Sequence, residues 1–345
     1  MNRYLLAEAW ARTLLLQDHN TRVVVIATTA LGIAAGVIGS FTLLRRRALM
    51  GDALSHAMLP GIGLAFLAAP LIGWSEKSLP VLLAGACASG IVGTGTILFL
   101  RRYVRLNEDA ALGIVLSVFF GAGLAILGLV QQTSGGHAAG LESFIYGKTA
   151  SITTTDAIGI GVTAVLTITF VGCLFKELTL LCFDEGFAAA KRFSTLGLDI
   201  GLMGMVIVIT VVGLQAVGLI LMIALLVIPA SAARFWTTHV ATMAWLSAAI
   251  AAVSCLVGAL ISASVPDLPS GAMIVLVAAA MFVVSISLGP QSGIFTRLAD
   301  RRARLLPPPG VRRNPSAEDR VAGDRSEVGV GQTKDADRRY PGTAP

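Results

Sequence analysis

Long apolar runs separated by short polar connections repeat along most of this chain. A helix needs about 20 residues to cross the hydrocarbon core of a bilayer, and most of the runs are near that length. The pattern predicts membrane spans over residues 23–44, 53–72, 79–100, 110–130, 155–175, 241–264 and 271–288, with one longer run at 200–233. The expected fold class is therefore an all-α integral membrane protein.

The run at 200–233 is too long for one span and short for two, because it would form roughly 50 Å of helix at 1.5 Å per residue. Arg192 and Arg234 flank it and should lie on the same side, so the chain must cross an even number of times between them. We expect two short helices broken near 213–218, or a re-entrant hairpin, and about nine spans in all, eight to nine. Gln215, at the break, could line a transport path or could simply lie at a loop apex.

Composition supports this class. Of the 345 residues, 55% are hydrophobic and 13% are charged, well below the quarter that soluble chains carry. Basic residues fall on alternate connections, at 45–47, 101–105, 176–192, 234 and 297–304. The positive-inside rule places those connections in the cytoplasm, so we expect a multi-pass protein with its N-terminus outside and its C-terminus in the cytoplasm.

Three regions follow from the same pattern: an extracytoplasmic segment at 1–21, a transmembrane domain at 22–290 and a basic cytoplasmic tail at 291–345. The tail is rich in proline and charge and poor in large apolar residues, so we expect it to be largely disordered. Cytoplasmic loops and tail account for the net charge of +6, so the charge does not indicate a nucleic-acid partner. The four cysteines have no CxxC spacing and are expected to be packing residues.

The run GDALSHAMLPGI at 51–62 holds the strongest candidate chemistry, since Asp52 and His56 lie four residues apart in an apolar segment. That spacing puts both side chains on one helix face, where they could bind a single cation. Nitrogen and oxygen donors suit zinc, manganese or ferrous iron. In the alternative interpretation, Asp52 caps a helix that starts at Ala53 and His56 forms a hydrogen bond within the bundle. Pro60 should bend the same helix and could form a gate or a packing kink along the pathway.

Further stretches extend the pattern along 23–288: Glu108-Asp109, 141–147, 175–185, 225–230 and 268–271. Together with 39–62 they resemble the permease subunits of metal-ion ABC importers, the zinc, manganese and iron group. The resemblance implies a channel-forming subunit that dimerises, as a homodimer or with a second permease. It also implies two separate ATP-binding cassette subunits inside and a metal-binding protein outside. The chain would then be no enzyme itself, and the metal would be its transported substrate, with no permanently bound cofactor.

Residues on both sides of the membrane are further candidates. On the outer side, His137, Glu142 and Asp267 could receive a cation from the partner protein. On the cytoplasmic side, 182–199 predicts one short helix that starts at Asp184 and Glu185 and stops at Gly197. In the family this region docks into the ATPase. The predicted coupling residues are Asp184, Glu185, Ala188, Ala189 and Gly197.

Two other classes of protein remain open. An ion-coupled secondary metal transporter could use the same Asp and His without an ATPase, and it should show inverted repeats. Only Met58-Leu59-Pro60 and Val227-Ile228-Pro229 are faintly alike. An intramembrane metalloenzyme would need a third ligand and a general base, and the spans offer few ionisable groups.

Overall fold

The computed structural model describes residues 18–47, 49–75, 78–133, 147, 149–191, 193–265, 268–291, 293 and 296. Its α-helices, in chain order, are α1 His19–Leu44, α2 Met50–Ala57, α3 Leu59–Ala68, α4 Leu79–Arg102, α5 Glu108–Thr133, α6 Thr154–Cys173, α7 Phe175–Phe183, α8 Glu185–Ala190, α9 Thr195–Val217, α10 Leu219–Arg234, α11 Val240–Ser264 and α12 Ser270–Leu288. Short 3-10 turns occur at Pro70–Ile72 and Thr149–Ser151. Over these residues the secondary structure is entirely helical. The expected N-terminal segment, up to residue 17, and the tail beyond 296 lie outside the described residues.

Seven of the described helices are long and apolar enough to cross a membrane: α1, α4, α5, α6, α9, α11 and α12. The all-α membrane class is thereby confirmed. The expected count of about nine is close but high by this criterion, for two reasons. The predicted span at 53–72 is divided into α2 and α3, and α10 has only 16 residues.

Helix α1 is the central element of the bundle. In its most apolar stretch 67% of the residues are buried, against 17% in α5 and in α12. It packs against α6, α10 and α11, and the Ser247 hydroxyl of α11 donates a hydrogen bond to the Gly36 carbonyl at 2.7 Å. A Cβ at Gly39 would overlap the Leu226 carbonyl, so glycine allows α1 and α10 to approach this closely.

The long run at 200–233 is broken as predicted. Helices α9 and α10 are separated only by Gly218, whose φ of 81° and ψ of 171° lie in a region essentially restricted to glycine. Because no helix continues through such a residue, the chain changes direction there.

The connection between α6 and α9 differs in part from its prediction. The short helix expected within 182–199 is α8, which starts at Glu185 as expected but ends at Ala190, and α9 already starts at Thr195. Gly197 is not a helix stop: it lies in the first turn of α9, where its N–H donates to the Ser194 hydroxyl at 3.1 Å. The sequence therefore contains a helix start at this point, because serine is a strong N-cap.

Candidate functional site

Asp52 and His56 lie on one face of α2, one turn apart, with Asp52 Oδ1 and His56 Nε2 separated by 3.3 Å. Their side chains are 28% and 17% exposed, so the pair is neither solvated nor sealed within the bundle. The capping interpretation of Asp52 is wrong, because α2 starts at Met50 and Asp52 is its third residue. The carboxylate and the imidazole therefore face the same side of α2, where both could contact one cation.

The imidazole of His56 is fixed from one side by an aromatic ring. Phe120 of α5 packs edge-on against it, with 4.6 Å between ring centroids. Nδ1 is buried, and within the described part of the chain no hydrogen-bond partner reaches it. A buried polar nitrogen without a partner is costly. The alternative role of His56, a hydrogen bond within the bundle, therefore accounts for at most one of its two nitrogens.

The helix is interrupted at Met58, between α2 and α3. Pro60 has no N–H to donate to the His56 carbonyl, which explains the interruption. The next carbonyl, of Ala57, accepts a hydrogen bond from the Ser89 hydroxyl of α4 at 2.5 Å. Pro60 is buried, so the break lies within the bundle, two residues after His56.

A second polar group was missed by the sequence analysis. We name it the charge cluster: Arg45, Arg47, Arg101, Glu108, Glu185 and Asp199. Its centre is the pair of Arg47, which is fully buried, and Asp199, which is 5% exposed. Arg47 contacts both oxygens of Asp199, one of them at 3.0 Å, and also contacts Glu108. The arginines at 45 and 47 are therefore not solvated loop charges, although they still mark one end of the bundle.

Outer arms extend the cluster. Arg45 contacts Asp199 at 3.1 Å, Glu185 at 3.2 Å and the Leu181 carbonyl at 2.9 Å. Burial by itself would lower the pKa of Arg45, but the carboxylates of Asp199 and Glu185 outweigh burial and raise that pKa. Arg101 contacts both Asp199 and Glu108 at 3.5 Å. A cavity of about 540 Å³ is lined in part by Arg101, Glu108, Glu185 and Asp199. A signal for Asp199 did exist in the sequence, since it is the only ionisable residue between 195 and 217 and such a residue requires a partner.

The other predicted residues are placed as follows. His137, Glu142 and Asp267 lie outside the described residues. Gln215 donates a hydrogen bond from Nε2 to Asp156 Oδ1 at 3.0 Å, which ties α9 to the start of α6. The other oxygen of Asp156 belongs to a capping box with Thr153, which stabilises the start of α6.

The coupling residues lie at and around α8. Asp184 precedes the helix and accepts a hydrogen bond from the Phe187 N–H at 2.8 Å. Asp184 and Glu185 are exposed, whereas Ala188 is fully buried. Ala189 is in the same helix. Just before this segment, burial raises the pKa of the Cys182 thiol to about 11, so in the metal-free chain this thiol stays protonated at neutral pH.

No group of three or more His, Cys, Asp or Glu side chains with metal-site geometry occurs among the described residues. The Asp52–His56 pair therefore offers two donors per chain. A second copy that presents the same face would bring the number to four, the coordination number that zinc prefers.

Fold and site together define a polytopic α-helical membrane protein with a carboxylate–imidazole pair in an interrupted helix. Residues 17–289 match the ABC 3 transport family, and the chain belongs to that family. The predicted resemblance to metal-ion ABC importer permeases is thereby confirmed.

Two curated relatives and one solved structure illustrate the relationship. The chain is 44% identical over 288 residues to the zinc transport system membrane protein TroC of Treponema pallidum, with 84% of this chain and 95% of that protein covered. It is 40% identical over 292 residues to the manganese transport system membrane protein MntC of Bacillus subtilis, with 84% and 65% covered. The structure of PsaBC from Streptococcus pneumoniae in complex with Fab is 27% identical, with a TM-score of 0.70 over 86% of this chain and 99% of that one.

Proposed function

We propose that this chain is the membrane-spanning permease subunit of an ATP-driven importer of divalent transition-metal ions, manganese, zinc or iron. The ion passes through a channel formed by two permease copies. The observation that carries the proposal is the partly exposed Asp52–His56 pair in an interrupted helix of an ABC 3 family member. Relatives named for zinc and manganese transport support the substrate class.

The donor chemistry fits such an ion. A carboxylate oxygen and an imidazole nitrogen suit manganese, zinc and ferrous iron. Two donors hold an ion weakly, which transport requires, and a partner copy completes the coordination. That partner is a second copy of this chain or a paralogous permease. The metal is cargo, so the subunit needs no permanently bound cofactor, and it catalyses no reaction itself.

Two ATP-binding cassette subunits would dock at α8 on the cytoplasmic side, with Asp184 and Glu185 exposed toward them. Ala188, being buried, would hold α8 on the bundle, and Ala189 and Gly197 complete the segment. A metal-binding protein would deliver the ion on the outer side, near His137, Glu142 and Asp267. No nucleic acid is involved.

The charge cluster supports the orientation. It gathers the end of α1, the end of α4, and the starts of α5, α8 and α9 at one end of the bundle. Those segments carry the arginines that the positive-inside rule assigns to the cytoplasm. We place the protein in the inner membrane, with its N-terminus outside and its C-terminus inside.

Metal uptake by reconstituted transporter tests the proposal. Asp52→Asn keeps the shape of the side chain but removes the charge that offsets a divalent ion, and His56→Leu removes a nitrogen donor. Both variants should assemble normally and lose uptake of radiolabelled manganese and zinc. Asp109 is exposed at the start of α5. Asp109→Asn makes the same chemical change as Asp52→Asn, so it is the matched control and should transport normally. Full uptake by Asp52→Asn would remove Asp52 from the site.

The same vesicles separate the importer from a secondary transporter. Uptake should require ATP and the ATPase subunits and should be insensitive to a protonophore. Uptake by the permease alone, driven by a proton or sodium gradient, would favour the ion-coupled alternative.

A further inference from the structure

The charge cluster is poorly explained as a stabilising device. Arg47 is fully buried and Asp199 almost so, and both ions have therefore lost their hydration. Well-packed apolar side chains of similar volume often stabilise a fold as much or more, whereas fixing the arrangement of elements is the best-attested use of buried polar groups. The cluster is suited to hold several helices in one defined arrangement.

The first half of the cluster reaches the proposed ATPase contact. Glu185 is the first residue of α8, and its exposed carboxylate lies 3.2 Å from Arg45. Arg45 is the C-cap of α1, and its other amino group lies 3.1 Å from Asp199. A displacement of α8 must therefore either carry Arg45 with it or break this contact.

The second half reaches the metal-donor helix. Asp199 holds the guanidinium of Arg47 through both carboxylate oxygens. The carbonyl of Arg47 accepts a hydrogen bond from the N–H of Met50, the first residue of α2, at 2.9 Å. The side chain of Arg47 is thus anchored on α9, while its backbone fixes the start of the helix that carries Asp52.

We propose that Asp199 is a positioning residue that ties the position of α2 to that of α8. Movement of α8 with the ATPase subunits is passed through Arg45, Asp199 and Arg47 to the start of the metal-donor helix. Arg47 and Asp199 are buried, so separating that pair would leave a buried charge unpaired, and the start of α2 therefore moves with α9. Arg45 joins the same carboxylate to Glu185 at the start of α8. The inference rests on the proposed function, since it requires an ATPase at α8 and a metal ion at α2.

The experiment uses the complete transporter in proteoliposomes, with both ATPase subunits and the metal-binding protein. Ions of radiolabelled manganese moved per ATP hydrolysed are compared for Asp199→Asn, Asp199→Glu and Arg45→Gln. Coupling between sites typically corresponds to factors of about 5–150, so Asp199→Asn should lower this ratio at least fivefold while hydrolysis continues. Asp199→Glu restores the charge and should recover most of the ratio. Arg45→Gln leaves Asp199 paired with Arg47 and Arg101, so this variant should assemble. If Asp199→Asn assembles poorly, the ratio of ions per ATP is measured on Arg45→Gln instead.

Two matched controls lie beside the cluster. Arg46, between the two cluster arginines, is exposed, and so is Asp109, next to Glu108. Among the described residues neither belongs to the ion pairs of the cluster. Arg46→Gln and Asp109→Asn should keep the ratio of the unmodified transporter.

A purely structural role predicts a different result: fewer assembled complexes with an unchanged number of ions per ATP. That outcome, or an equal loss in the controls, overturns the inference. If the unmodified transporter moves metal with ATP while Asp199→Asn and Arg45→Gln keep its ratio, only the positioning role fails. If the unmodified transporter moves no metal with ATP, the proposed function itself fails.

Discussion

Replacing Arg47 with methionine should strongly destabilise the bundle. The side chain makes two charge-assisted contacts to Asp199 and one to Glu108, each worth about 1.5–3 kcal/mol. Asp199 keeps Arg45 at 3.1 Å and Arg101 at 3.5 Å, so its carboxylate is not left wholly unpaired. We therefore expect a loss of about 3–5 kcal/mol, the usual result of removing one partner of a buried ion pair.

Thermal unfolding of the purified permease in detergent, followed by circular dichroism, measures this loss. At about 2 °C per kcal/mol, Arg47→Met should lower the melting temperature by roughly 6–10 °C. Arg46→Gln, an exposed neighbour with the same loss of charge, should stay within about 0.5 kcal/mol of the unmodified chain.

A double variant makes the reasoning refutable. Arg47→Met combined with Asp199→Leu removes both partners of the buried pair, so the double variant should lose at least about 1 kcal/mol less than the sum of the two single losses. If the two losses simply add, the pair is not coupled and the account of the charge cluster is wrong. The account would also be refuted if the unfolding free energy of Arg47→Met lies within about 1 kcal/mol of that of the unmodified chain.

Three further predictions concern orientation, docking and thiol chemistry. A reporter fused after Arg105 should report cytoplasm and one fused near Gly136 should report the outside, and cytoplasmic signal at Gly136 would overturn the order of spans. Phe187 is 48% exposed on α8, so Phe187→Glu should abolish co-purification of the ATPase subunits without lowering the melting temperature of the permease, and normal co-purification would reject the docking assignment. Burial raises the pKa of Cys182 to about 11, so only about a thousandth of this thiol is ionised at pH 8. Its alkylation rate should therefore rise about tenfold per pH unit up to that pKa, and a rate that levels off near pH 9 would contradict the burial.

Features that depend on local composition could be predicted from the sequence. The apolar runs gave the helices, because backbone hydrogen bonds must be satisfied internally in lipid. The break near Gly218 followed from the length of one run, and the shared face of Asp52 and His56 followed from their spacing. Helix boundaries were predicted less well. Gly197 suggested the end of a helix, but Ser194 is the N-cap of α9 and Gly197 lies in the first turn of that helix.

Features that depend on distant partners could not be predicted. Arg47 and Asp199 are 152 residues apart in sequence, and no local pattern brings them together. A run of arginines after a span is ordinarily solvated. The burial of Arg47 could therefore be recognised only from the packing of the helices around it. Among the described residues, the burial of His56 Nδ1 without a hydrogen-bond partner likewise depends on the neighbours that surround the ring, including Phe120 of α5.

The conformation of Gly218 has a consequence for biogenesis of the protein. Any other residue at these dihedral angles would cost about 1–3 kcal/mol, which would favour a continuous helix from Thr195 to Arg234. Such a helix would be roughly 60 Å long, and inserted as a single segment it would cross the bilayer once instead of twice. Every later segment, α11, α12 and the tail, would then be translocated in the inverted sense. In the proposed topology, in which α10 returns the chain to the side of Arg192, the glycine at this break therefore keeps the last third of the chain in its orientation.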